Sequence, residues 1–177
     1  MPPVPHPLPP LVYLPTPNQS SRWGARPSGI VVHETEGGYS GAVSWLRNPR
    51  SGASAHLVLR EDGLQATQLV PWLRKAWHAS NANRYTLGLE IAGYTRSANK
   101  AEQLARAARI VAWWCHTYNI PAKQGDRYGH KGVVRHRDLG IYGGGHHDPG
   151  GFDWERFLAA VAAEVRRGGF RTVYGVS

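Results

Sequence analysis

The chain has 177 residues, 41% hydrophobic and 19% charged, which fits one soluble globular domain with a proper core and leaves little room for a second. A single cysteine, Cys115, excludes an intramolecular disulfide and any cysteine-based zinc knuckle. The formal charge of +9, spread along the chain, points to an anionic partner, whether nucleic acid, a cell envelope or an acidic substrate.

In chain order, residues 1–17 are Pro-rich and are expected to be extended, either a tether or a strap lying on the domain. They lack the basic start and unbroken apolar run of a secretory signal, and no segment approaches the ~20 apolar residues of a membrane span. The compact domain is expected over residues 18–168, with 169–177 as a tail. "GIVVHET" reads as a central strand ending in His33, and "SGAVSWLRNP" as a short helix with Ser40 as cap and Pro49 as stop. "SAHLVLRED" and "GLQATQLVP" read as a hairpin turning at Asp62-Gly63.

"YTLGLEIAG" is a further strand, in which Glu90 interrupts an apolar run where an isolated carboxylate is costly to bury. "NKAEQLARAARIVAWWCHTYNI" carries the longest helical pattern and closes before Pro121. "GVVRHRD" is a short strand with His136 at its end, and "DWERFLAAVAAEVRRG" a last amphipathic helix capped by Asp153. Strands interleaved with helices, plus one hairpin, give an α/β class: a single domain with a central mixed sheet flanked by helices.

Nine histidines make a metal site the natural hypothesis, set against scattered surface histidines. No local spacing such as a helical HExxH is present, so ligands must converge from distant segments. His33 and His136 both follow β-branched runs, so both can project from strand ends at one sheet edge, with Asp148 in a turn soon after. Two imidazoles and a carboxylate leave a fourth tetrahedral position for water, the pattern of a catalytic zinc. The glycines at 143–145 let the intervening loop fold back, and Pro149 fixes the backbone after Asp148.

The ordered segments "GIVVHET", "SAHLVLREDGLQATQLVP", "AWHAS", "TLGLEIAG" and "VVRHRDLG...GGGHHDPGGFDW" resemble the zinc-dependent N-acetylmuramoyl-L-alanine amidases of the amidase-2 or peptidoglycan-recognition-protein family. The resemblance implies that family's fold and cleavage of the amide joining the lactyl group of N-acetylmuramic acid to L-alanine. Carried over by motif, it implies His33, His136 and Asp148 as Zn2+ ligands, Glu90 as catalytic glutamate and His146 as a second catalytic residue polarising the carbonyl. "HET" stands where His-His-Thr or His-Tyr-Thr is commoner, and Arg135 replaces a glycine before His136.

Plainer readings stand beside these. Glu90 can pair with an arginine as a buried ion pair. His147 is read as solvent-facing and is the substitute should His146 be misassigned. Asp138 either orients a ligand histidine or caps a turn. His56 and His78 are read as packing or groove-lining residues, and His6, His116 and His130 as surface residues. Cys115, Trp113 and Trp114 are core by default, while Trp72 and Trp77 belong either to the core or to a sugar-stacking wall.

Peptidoglycan is therefore the expected substrate of a monomeric hydrolase whose basic surface holds an anionic envelope. A phage or prophage endolysin is favoured, made in the cytoplasm without a signal peptide and reaching the cell wall with a holin's help. Cytosolic muropeptide recycling and a non-cutting peptidoglycan-binding module are the alternatives. Nucleic acid is not expected as a partner, for want of any zinc-finger, RNP or basic-helix pattern.

Overall fold

The computed structural model describes residues 8–170; His6 and the end of the expected tail lie outside them. Along the chain run β1 (Leu11–Tyr13), β2 (Gln19–Ser20), β3 (Gly29–Glu34), α1 (Tyr39–Arg47), β4 (Leu57–Leu59), β5 (Ala66–Gln68), β6 (Lys75–Ala76), β7 (Thr86–Ile91), α2 (Ala101–Tyr118), β8 (Gly132–Arg135) and α3 (Trp154–Arg167). Six strands form one sheet in the order β1-β5-β4-β7-β3-β8, and β2 pairs with β6 in a small second one. The β4–β5 hairpin is antiparallel, as the Asp62-Gly63 turn requires, and β4, β7, β3 and β8 run parallel. The sheet is thus mixed, with its parallel centre made by helical and looped crossovers.

Side-chain alternation decides which residues face which layer. In β3 and β7, Ile30, Val32, Leu87, Leu89 and Ile91 join the core formed with α2 and α3. The alternate positions, Val31, Gly88, His33 and Glu90, fall on the other face, where Val58 packs with Val43 and Leu46 of α1. Burying each aliphatic contributes about 1.5–3 kcal/mol, so a one-residue slip that sent His33 and Glu90 inward would forfeit several such terms at once. The strand register is set by the core, and the polar pair takes its position from that.

Trp72 is core: its ring meets Trp113 and Trp114 edge-on at 5.7 and 5.6 Å. Cys115 is buried in the same layer, its thiol pushed up to about 12 by burial. Arg109 and Glu164 join α2 to α3 through a buried 2.9 Å ion pair. Asp153 caps α3 by accepting from Arg156 N at 3.0 Å, as its position before the helix implies.

Two local expectations are revised. Ser40 is not a cap: α1 begins at Tyr39 after Gly38, and the Tyr39 N–H is satisfied from outside by Glu61 Oε1 at 2.6 Å. Within the Pro-rich lead, residues 11–13 form the edge strand β1, pairing in parallel with β5. The six-stranded sheet therefore takes in residues ahead of position 18. Prolines flank the strand and do not interrupt its ladder, as an edge position permits.

Candidate metal centre and catalytic cleft

At the C-terminal ends of the parallel strands, β3 and β7 set His33 directly opposite Glu90 in register. β8 ends at Arg135, opposite Val32, so His136 follows at the same sheet edge. A loop from Gly143 to Gly151 then returns Asp148 to these residues. One nitrogen each from His33 and His136 and one Asp148 oxygen lie within 4.8 Å of one another. The two Nδ1 atoms are 3.0 Å apart, and Asp148 oxygens lie 3.4 Å from His33 Nδ1 and 3.2 Å from His136 Nδ1.

The partners of the far ring nitrogens fix the tautomers. His136 Nε2 meets the Gly143 carbonyl at 2.8 Å, and a carbonyl only accepts, so the proton is on Nε2 and the neutral ring's Nδ1 is bare. On the other side, the Thr86 hydroxyl donates to the Ala82 carbonyl at 2.9 Å and accepts from His78 Nε2 at 3.2 Å. His78 Nδ1 therefore accepts from His33 Nε2 at 3.0 Å, which leaves His33 Nδ1 bare as well. Two nitrogen lone pairs and a carboxylate converge on one point, an arrangement that repels itself without a cation and that matches the donor set of a three-ligand zinc site.

The loop bearing Asp148 is pinned by Glu34. Its Oε2 accepts from Gly150 N at 2.7 Å and Gly151 N at 3.1 Å, while Glu34's own N–H donates to Asp148 Oδ2 at 3.3 Å. A Cβ at Gly151 would lie 2.5 Å from Glu34 Oε1, so only glycine lets the chain come this close. Gly88 serves His78 likewise, since a Cβ there would lie 2.7 Å from the imidazole. His78, read from sequence as packing, thus orients His33, and Glu34, noticed only as a departure from a motif, is a loop clamp. The signal that could have found His78 is Gly88, two residues before Glu90 on the same strand face.

Glu90 has no arginine partner among the described residues. Its Oε1 is 3.9 Å from His33 Nδ1 and its buried Oε2 has no hydrogen-bond partner. Burial, and then the charge of Asp148, push it up to about 8. Asp148 goes the other way: burial opposes ionisation, but the contacts with His136 and His33 hold it well below the usual carboxylate range. Carboxylates on adjacent elements are thereby driven apart in proton affinity, the usual preparation for acid–base work.

His146 sits at the mouth with its side chain 60% exposed, its ring stacked on His136 at 4.3 Å and its Nδ1 4.0 Å from Asp148 Oδ1. His147 is exposed and does not line the cleft. Asp138 binds Arg135, accepting from its backbone and side chain at 2.8–3.2 Å, so it is a turn cap and not an orienter of a ligand histidine. The cleft over the site measures about 490 Å³ and is walled by Trp77 and by Trp45, a 56%-exposed residue of α1 that sequence reasoning passed over. His56 is fully buried beneath the sheet edge, its Nδ1 accepting from Gly88 N at 2.9 Å. His116 is exposed, while His130 is half-buried against Tyr85.

The buried imidazoles make acid stability a test of this geometry. His33 is pushed down to about 4 by burial and by neighbouring His136, against the pull of Asp148. Burial also takes His56 and His78 well below the ordinary value, helped by Arg22 for His56 and by His33 for His78. Unfolded, all three protonate below about pH 6.5. The stability they contribute is therefore present above that pH and lost as pH falls. Glu90 opposes them by one proton, because its raised affinity keeps a proton in the folded state that the unfolded chain has released. For chelator-treated protein, urea unfolding is expected to show stability from these four groups falling as pH drops between about pH 6 and 5, by at most about 3 kcal/mol per pH unit. A flat profile would contradict neutral buried rings.

The family model described as N-acetylmuramoyl-L-alanine amidase matches residues 23–151. The chain is 38% identical over 90 residues to N-acetylmuramoyl-L-alanine amidase A of Achromobacter lyticus, covering 50% of this chain and 51% of that protein. It is 31% identical over 118 residues to 1,6-anhydro-N-acetylmuramyl-L-alanine amidase AmpD of Salmonella typhimurium, covering 62% of this chain and 57% of the other. The chain therefore spans about half the length of these curated relatives. Among solved structures, an AmpD derivative superposes with a TM-score of 0.63 at 25% identity, covering 84% of this chain and 93% of that one. Staphylococcus aureus AmiA, solved with its ligand, gives 0.73 at 18% identity, covering 90% and 83%, and that likeness is one of fold.

Proposed function

The chain belongs to the N-acetylmuramoyl-L-alanine amidase family, and from that premise we propose that it is a zinc-dependent hydrolase cutting the amide between N-acetylmuramic acid and L-alanine of peptidoglycan. The observation that carries this reading is the convergence of two bare Nδ1 atoms and a carboxylate beside a largely buried glutamate whose Oε2 has no hydrogen-bond partner. His33, His136 and Asp148 would hold the ion. When bound, zinc supplies Lewis acidity, which acidifies water and polarises the scissile carbonyl. Glu90 in its ionised form, which a cation held by the three ligands favours against the burial and Asp148 charge that raise its proton affinity, takes the proton of the attacking water and passes it to the leaving L-alanine amine. His146 donates a hydrogen bond to the developing oxyanion from the cleft mouth. His78 and the Gly143 carbonyl hold the two imidazoles with Nδ1 inward, and Glu34 keeps Asp148 in place.

Two roles share this chemistry. A wall lysin is favoured by the +9 charge, which suits the anionic envelope of an intact wall. Muropeptide recycling is favoured by the 31% identity to a relative whose name specifies a 1,6-anhydro substrate. Purified protein incubated with sacculi and with soluble anhydro-muropeptide is expected to release free L-alanine amino groups. Release from sacculi selects the lysin, and release from soluble fragments alone selects recycling. New glycan reducing ends, or no new amine from either substrate, would contradict the amidase reading.

A further inference from the structure

Beside the cleft, β6 leads into Trp77, whose indole donates to Ser20 Oγ of β2 at 3.0 Å. The segments flanking this small sheet carry a second feature that catalysis does not use. Trp23 is 70% exposed, with the Lys75 ammonium 5.2 Å and the Arg84 guanidinium 5.9 Å from its ring centroid. Arg84 also lies over Tyr85 at 5.5 Å. Next to them, Arg26 and Arg74 border a shallow recess of about 210 Å³ together with the exposed Leu73.

None of these four cations forms an ion pair with a carboxylate among the described residues. The cause is written in the sequence: no Asp or Glu occurs from Met1 to His33 or from Gly63 to Leu89, the segments that build the patch. The mounting is rigid. Arg22, buried next to Trp23, donates to the carbonyls of Asn83, Arg84 and Thr86 at 3.2, 2.7 and 2.8 Å. Trp23 itself is held at φ 48°, a left-handed conformation that a bulky residue adopts only when its surroundings impose it. A large indole is thus kept in solvent among uncompensated cations, when burying it would stabilise the fold.

We propose that this patch docks an anionic, phosphate-bearing glycopolymer of the cell envelope, holding the chain against the wall beside the cleft. The indole offers a face or edge for sugar rings, and Lys75, Arg84, Arg26 and Arg74 pair with phosphate oxygens. The class of partner rests on the wall-hydrolase reading; the charge and aromatic content of the patch do not.

Co-sedimentation of the full chain tests it, in a Glu90→Gln background so that the walls stay intact. The probes are walls retaining their phosphodiester polymers and the same walls stripped of phosphodiesters by cold hydrofluoric acid. Stripping is expected to weaken binding about tenfold, as is Lys75→Gln with Arg84→Gln on unstripped walls, with a shallower salt dependence. Trp23→Ala is expected to weaken binding by a similar factor with the salt dependence kept. With Glu90 restored, these patch variants should cut soluble muropeptide within about twofold of the parent, which also shows that they fold. Equal binding by parent and patch variants would overturn the proposal, as would tighter binding to duplex DNA or to anionic lipid vesicles than to phosphate-bearing walls. Failure of the parent to cut any muropeptide would sink the catalytic reading alone, leaving the binding ratios to decide the patch.

Discussion

Replacing Glu90 by glutamine is expected to lower the turnover number for amide cleavage about 10³-fold while leaving fold and zinc content intact. Glutamine keeps the volume of the buried side chain but can neither take the water's proton nor return it to the amine. The site already tolerates an uncharged group there, since burial and the Asp148 charge push Glu90 up to about 8 and its Oε2 makes no hydrogen bond. The substitution therefore removes proton transfer with little cost to folding. Steady-state kinetics on soluble muropeptide, with zinc counted per chain, reads both quantities. A variant retaining more than about a tenth of the parent's turnover would place the base elsewhere.

Asp148→Ala is expected to weaken zinc binding by more than about a hundredfold and to abolish activity at limiting metal. The alanine leaves the two bare Nδ1 atoms of His33 and His136 at 3.0 Å with no anionic donor beside them. A graded control follows from the loop clamp. Glu34→Ala keeps all three donors but frees the N–H groups of Gly150 and Gly151, so its zinc affinity should fall about 10- to 100-fold, between parent and Asp148→Ala. Competition with a chromophoric chelator gives the three affinities. Equal affinities for parent and Asp148→Ala would remove Asp148 from the ligand set.

The sequence pattern carried the site furthest where a strict two-residue period met a polar exception. In "TLGLEI" the aliphatic positions claim one sheet face, so Glu90 takes the other, and His33, paired with it in register across β3 and β7, shares that face where both strands end. The hairpin was legible because Asp62-Gly63 sits between two alternating runs, and Gly63 is held at φ 72°. Other features depended on contacts that no local pattern encodes. β1 is three residues between prolines and exists because β5 offers a free edge. β2 and β6 are two residues each, too short for any periodicity to show. The start of α1 is set by Glu61, twenty-two positions along the chain. Asp138 was ambiguous because three residues from Arg135 suits a capping turn as well as an orienting contact, and only the side-chain geometry decides for the cap. His78 and Glu34 act through partners 45 and more than 100 residues away, a distance at which sequence spacing is silent.

The most direct measurement is a zinc titration of chelator-stripped protein, followed by release of L-alanine amino groups from muropeptide. Cleavage should be absent without metal, rise linearly with added zinc and level off at one equivalent per chain. Stripped protein that cuts at the full rate, or activity that saturates without regard to His33, His136 and Asp148, would contradict a single ion held by those three side chains.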